Sequence, residues 1–151
     1  MLDTSQVVSN PWGAVVILFA LLVTHAIGDF ALQGSFLSQA KNRNADLSRF
    51  FPNGAPRGLW WNALFAHALI HAGGVWLVTG FAILAFVELV LHFLIDYAKS
   101  EGWISFTLDQ TLHHLCKLIY VALIFCNWPA GLDWDPLSSS LSLSAEETFP
   151  G

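Results

Sequence analysis

With 151 residues the chain has room for one domain and not for two. Apolar residues make up 55% of it and charged residues only 11%, against about 25% in soluble domains. The net charge is -5, the acids are spread along the chain and no basic stripe is present, so no nucleic-acid partner is expected.

The apolar residues come in long blocks that a soluble domain of this size could not hide. The first runs from about Trp12 to Gln33, and its early part, Ala14 to Val23, is unbroken hydrocarbon. Asp3 stands where a signal peptide would carry basic residues, and no small-residue cleavage site follows, so a retained span is expected. Residues 34–58 change character, with Gly34, Lys41, Arg43, Arg49, Pro52, Pro56 and Arg57, and read as a solvated loop with room for a short surface helix.

The block from Leu59 to Ala98 is about twice the ~20 residues one span needs. It must fold back, and Thr79-Gly80 is the convenient turn, giving spans at 59–78 and 81–98. Ser100-Glu101-Gly102 marks the next turn, before a fourth span at 106–127. Cys116 and Cys126 lie ten residues apart in that span, form no metal-type pair, and are expected to be buried apolar thiols. From Pro129 the chain turns rich in Pro, Gly, Asp and Ser, which predicts an interfacial segment around Trp128 and Trp134 and a disordered acidic tail.

The expected architecture is therefore all-α. It is an integral membrane four-helix bundle over residues 1–128, with spans at 12–33, 59–78, 81–98 and 106–127 and a tail at 129–151. Lys41, Arg43, Arg49 and Arg57 follow the first span and Lys99 ends the third, so both basic loops lie on one side. The excess of basic residues in short cytoplasmic loops makes that side the cytoplasm, and places both termini outside it, in the cell inner membrane.

Each span carries one polar pair at a spacing of four: His25/Asp29, His67/His71, His92/Asp96 and Asp109/His113. Four residues is about one turn, so each pair shares a helix face. Five of the six histidines are used, leaving His114 outside the set. All four pairs fall at the end of the bundle that bears the basic loops. An ionisable group in hydrocarbon is penalised by several kcal/mol, so it faces the interior and is paired or functional.

Imidazole and carboxylate suit a divalent metal, zinc first and manganese or iron next, and helix bundles build such sites from inward-facing side chains. Eight groups exceed the four that one zinc needs, so either two ions bind or some groups orient the ligands. His67, His71, His92 and His113 are the primary ligand candidates, with His25 beside them. Asp29, Asp96 and Asp109 are candidates for ligand or general base, while Lys99, with Arg57, could neutralise a phosphate. A proton or ion pathway, and polar packing that only joins the helices, stay open as alternatives.

Further residues flank this set. Glu88 extends the row Glu88-His92-Asp96 one turn deeper, as a partner of the ligands or a buried protonated acid. Gln33 extends His25-Asp29 toward the interface, where it would be solvated or meet a headgroup. Lys99 could pair with Asp96, and Lys117 could pair across the bundle. Gln110 opens the fourth helix, where capping is expected, and Gly73-Gly74 would permit close helix packing.

The motifs His25-x2-Gly28-Asp29-Phe30-x2-Gln33, His67-x3-His71, His92-Phe-x-Ile-Asp96-x2-Lys99 and Asp109-Gln110-x2-His113 resemble domain-of-unknown-function family 3307 over about residues 15–125, with the loop at 43–58 and the tail after 128 outside the resemblance. These are small bacterial and phage membrane proteins, and the resemblance implies the fold and the polar site rather than a reaction. A looser similarity runs to the YdjM-like membrane-bound metal-dependent hydrolases, through His92/Asp96 and His67/His71. It implies hydrolysis of an ester or phosphoester, and the site's depth implies a lipid or lipid-linked substrate. An ion or proton transporter and a non-catalytic membrane adaptor are the functional alternatives.

Overall fold

The computed structural model of the protein describes residues 10–126, so the tail expected at 129–151 lies outside the described residues. Among these residues the regular structure is entirely helical. Helix α1, Pro11–Ala26, passes without a break into a π-helical stretch, Ile27–Leu32. Four more follow: α2, Gly34–Ala40; α3, Leu59–Thr79; α4, Ala82–Ser100; and α5, Phe106–Phe125. The four long helices match the expected spans to within about two residues at each end.

Local chemistry sets these boundaries. The Asn10 side chain accepts from the Trp12 amide at 3.0 Å, and Pro11 takes the first helical position, where its missing N–H costs nothing. Between α3 and α4 the chain reverses at Gly80, whose φ of 76° is open to glycine without strain. Thr79 Oγ1 closes the turn, donating to the Val75 carbonyl at 2.8 Å and accepting from the Phe81 amide at 3.2 Å. Ser105 starts α5 by accepting from the Leu108 amide at 3.2 Å.

Helix α3 packs against α1 and α4, and α5 packs against the same two, giving the cyclic order α1–α3–α4–α5. The interior is divided along its length. Ile17, Leu21, Val75, Val78, Leu84, Tyr120 and Ile124 form an apolar core at the end holding the α3–α4 turn. At the opposite end the buried polar positions include His25, His67, His71, His92, Asp96, Asp109 and His113, alongside buried Ala63, Leu64 and Ala68. The outside carries large apolar side chains on every long helix, among them Phe19, Leu77, Phe86, Leu94 and Leu118.

Two segments, Pro11–Leu32 and Leu59–Thr79, are long and apolar enough to cross a membrane. Helices α4 and α5 lie where the third and fourth spans were expected but fall short of that measure. They carry Glu88, His92, Asp96 and Lys99, and Asp109, Gln110, His113, His114 and Lys117. Composition alone therefore supports two of the four expected spans. The thiols also depart from expectation: Cys116 is half-buried and Cys126 exposed.

The connection from residue 41 to 58 is more than a solvated loop. Arg43 grips Glu101 at the end of α4 with two parallel bonds of 2.6 Å, while its guanidinium lies 5.6 Å from the centre of the Tyr97 ring. Asn44 adds bonds to the Ser100 carbonyl and to Glu101. A bidentate fork of this kind is strong for its class and fixes geometry.

The Arg43 hydrogen bonds hold the Glu101 carboxyl below the usual glutamate range. An acid with a depressed folded pKa contributes stability above its ordinary value of 4.5, and that contribution is lost as pH falls through the depressed one. Amide exchange over residues 42–58, corrected for intrinsic rate, should hold steady at neutral pH and rise below pH 4.5. Glu101→Gln should raise it about two- to fivefold at pH 7, as expected for an exposed pair. Unchanged exchange in that variant would show that the fork does not tether the loop.

Candidate metal centre

The four polar pairs meet inside the bundle, at the end nearest the 41–58 connection. His25 closes α1 and Asp29 sits in the π-helical stretch, not in the α-helical turn that their spacing suggested. A π-turn holds an extra residue and re-aims the side chains that follow it. Asp29 there faces α3, with Oδ1 3.2 Å from Nε2 of both His67 and His71. Gly28 makes this approach possible. A Cβ at that position would lie 2.5 Å from Cε1 and 2.6 Å from Nε2 of His71.

Asp96 is the second focus. Its Oδ2 lies 3.4 Å from His67 Nε2 and 3.7 Å from His92 Nε2, and its Oδ1 lies 3.8 Å from His113 Nε2. His113 Nε2 is also 3.6 Å from Asp109 Oδ1. The imidazoles form a row, with His71 stacked on His92 at 3.8 Å between centroids and His92 on His113 at 4.1 Å. His25 stands at the edge, its Nε2 3.4 Å from Asp29 Oδ2 and its ring 5.0 Å from that of His71.

Nε2 of His25, His67, His71, His92 and His113 is buried in every case, as is Asp109 Oδ1, and none of these atoms has a hydrogen-bond partner. Leaving a buried polar atom unpaired costs about 1–3 kcal/mol, so six in one place require a common explanation. A divalent ion provides one. Two ligands held tetrahedrally at 2.0–2.1 Å from zinc stand roughly 3.3 Å apart, which is the range of the Nε2–carboxylate separations here. The ligand atoms of Asp29, His67, His71 and His92 lie within 4.8 Å of one another, as do those of Asp96, Asp109 and His113 and those of Glu88, His92 and His113. These groups could hold a metal ion.

The flanking residues differ from expectation in instructive ways. Asp96 takes its cation from Lys41, whose Nζ bridges Asp96 Oδ2 and Gln33 Oε1 at 2.6 Å each, and not from Lys99. Lys41 is buried, and nothing in its run of basic neighbours distinguishes it in the sequence. Gln33 therefore points to Lys41 rather than to solvent. Lys99 reaches Asp109 Oδ2 at 3.8 Å and is about a third exposed, at 31%.

Gln110 does not cap α5, a role that Ser105 fills. Its Nε2 donates to Asp29 Oδ2 at 2.8 Å and to Asp109 Oδ2 at 3.1 Å, joining a carboxylate of the π-helical stretch to one of α5. Arg57 lines a separate cavity of about 560 Å³ in the connection, together with Arg43, Asp46 and Trp60, and is not part of the centre. Lys117 pairs across the bundle as expected, with Glu88 at 2.5 Å, and Glu88 Oε1 also lies 3.2 Å from His92 Nδ1. Gly74 packs closely on Thr24, whose Cβ would be 3.1 Å from a new Cβ, whereas Gly73 faces open space. His114 is exposed, with its ring 5.4 Å from that of His25.

The family model described as "Protein of unknown function (DUF3307)" matches residues 17–134, and the chain belongs to that family. The match includes all eight residues of the four pairs and, unlike the narrower resemblance read from the motifs, takes in the 43–58 connection and residues beyond 128. No curated protein and no solved structure matches the chain. The likeness to the YdjM-like hydrolases has no counterpart among these matches.

Two kinds of substitution separate the parts of this site. Gly28→Ala should destabilise the detergent-solubilised protein by about 1–3 kcal/mol in denaturant titration, because the methyl must displace the His71 ring. Lys41→Met should cost about 3–5 kcal/mol by taking the ammonium from the buried Asp96 carboxylate. Lys99→Met, with its exposed and longer contact, should cost less than about 1 kcal/mol. Equal losses for the two lysine variants would contradict the burial difference between them.

Proposed function

We propose that the protein is a four-span inner-membrane protein that binds one or two divalent ions, zinc in the first instance, and hydrolyses a lipid or lipid-linked ester or phosphoester. The supporting observation is the convergence of five orphaned Nε2 atoms on three carboxylates. Apolar packing would not need these groups, and helix association alone would pair them with hydrogen bonds.

The burial pattern supports four spans rather than two. The charges that make α4 and α5 polar are turned inward, with Glu88, Asp96, Asp109 and Lys117 all buried. Their outer faces show Phe86, Val90 and Leu94, and Leu115, Leu118 and Ile119. A lipid-facing helix needs an apolar outside, and tolerates ionisable residues where the bundle encloses them. Both basic connections then lie at the cytoplasmic end beside the centre, and both termini lie outside the cytoplasm.

A divalent ion held there would supply Lewis acidity and acidify a bound water toward neutrality. The chain's own residues divide the remaining work. His67, His71, His92 and Asp29 form the first ligand set, and His113 with Asp96 the second, His25 flanking them. Asp109, whose Oδ1 has no partner, is placed to accept a proton as general base. Lys99, the partly exposed cation beside it, is placed to neutralise a phosphate, and the Gln110 amide fixes Asp109 and Asp29 relative to each other. The depth of the site, at the end of the spans, fits a substrate whose polar group lies at the headgroup level.

A second reading, transfer of a proton or ion, is favoured by the polar column that continues inward through Glu88, Lys117 and Tyr120. It stops at Ile17, Leu21, Val75, Leu84 and Ile124, which close the bundle beyond it. Metal content of the detergent-purified protein tests the main proposal. Wild type should carry one or two ions per chain, and His71→Ala and Asp96→Ala should lose most of them while staying folded. A folded wild type free of metal after growth with zinc, manganese and iron would end it. Phosphoester turnover in lipid vesicles, against ion flux in the same vesicles, then separates hydrolysis from transport.

A further inference from the structure

The Lys117–Glu88 pair lies a turn deeper than His92, and although the Glu88 carboxylate groups with His92 and His113 within ligand distance, its Oε1 is already taken by the Lys117 ammonium. Lys117 and Glu88 are each 1% exposed, and their contact at 2.5 Å links α5 to α4. Replacing such a pair by apolar residues of similar size is often neutral or stabilising, so the pair needs a reason beyond holding helices together. The reason lies in which atom they share. Glu88 Oε1 takes the Lys117 ammonium and also stands 3.2 Å from His92 Nδ1. An ammonium has donors and no acceptor, so that oxygen is an acceptor toward Lys117 and presents the same character to the imidazole. Nδ1 must then carry the hydrogen, and in neutral imidazole the lone pair is left on Nε2.

Nε2 of His92 is one of the orphaned atoms, and it faces Asp96 and the rest of the ligand cluster. Among the described residues, His92 is the site histidine whose Nδ1 has a side-chain hydrogen-bond partner. It also occupies the middle of the ring row, between His71 and His113, so its orientation sets both stacks. We infer that Lys117 and Glu88 are positioning residues: Lys117 fixes Glu88, and Glu88 locks His92 as the Nδ1–H tautomer with Nε2 aimed at the metal. This rests on the metal-binding reading for its purpose, though the tautomer itself does not depend on an ion.

The test uses the full chain in detergent, with zinc as the probe. Glu88→Leu alone strands Lys117 and could unfold the bundle, so the informative variant is Glu88→Leu with Lys117→Met, which removes both charges together. The double variant should remain folded yet bind zinc about 10- to 100-fold more weakly in chelator competition, the range typical of lost partners to ligating histidines. Glu88→Gln, which keeps an acceptor oxygen, should recover part of that affinity.

Nitrogen-15 spectra of histidine-labelled, metal-free protein should show His92 as the Nδ1–H form in wild type, and a mixture of forms in the double variant. A folded double variant with wild-type zinc affinity and an unchanged His92 spectrum would overturn the inference. If wild type bound no zinc, the proposed function would fall, while the metal-free spectrum would still decide the tautomer.

Discussion

Ionisable groups taken out of water must find partners, and most of this architecture follows from meeting that requirement at one end of a narrow bundle. Asp29, Asp96, Asp109 and Glu88 bring four carboxylates into or beside the buried interior. Each of the chain's three lysines ends on one of them: Lys41 on Asp96, Lys99 on Asp109 and Lys117 on Glu88. Asp29 is the exception, faced by His25, His67 and His71 and held by the Gln110 amide. The lysines each satisfy a carboxylate oxygen of the cluster or its flank. Lys41 does so at Asp96 Oδ2, the oxygen that also faces His67 and His92, while the imidazole Nε2 atoms are left without hydrogen-bond partners.

Backbone geometry serves the same end. The π-helical stretch lets the first helix deliver His25 and Asp29 to one centre, and Gly28 within it clears the space that the His71 ring fills. The division of the interior also matters. An apolar core at the far end supplies packing that does not depend on the polar groups, so the polar end can be organised around side chains that would otherwise oppose folding.

The 41–58 connection is part of this design rather than a covering over it. Lys41 reaches inside to Asp96, and two residues later Arg43 grips Glu101 at the end of the same helix. The connection is thus fastened to α4 at a buried point and an exposed one. The buried contact is shielded from water and salt, while the exposed one is screened and titrates with its glutamate.

The sequence by itself determined the approximate extents of the long helices, because hydrophobic blocks and the Thr79-Gly80 reversal are local signals, whereas the cap of the last helix fell to Ser105 and not to Gln110. A spacing of four also pointed to the four pairs that meet in the bundle, but not to Lys41 or to the Gln110 bridge. Only the tertiary structure decided which carboxylate each cation meets. Lys41, Lys99 and Gln110 lie near several acids in sequence or across the bundle, and helix rotation and the path of the connection choose among them. It also revealed the π-turn at Asp29, within which Gly28 meets the His71 ring. Contacts between distant segments carry no periodicity of their own. That is why the site could be read from the sequence as a list of residues, and its geometry could not.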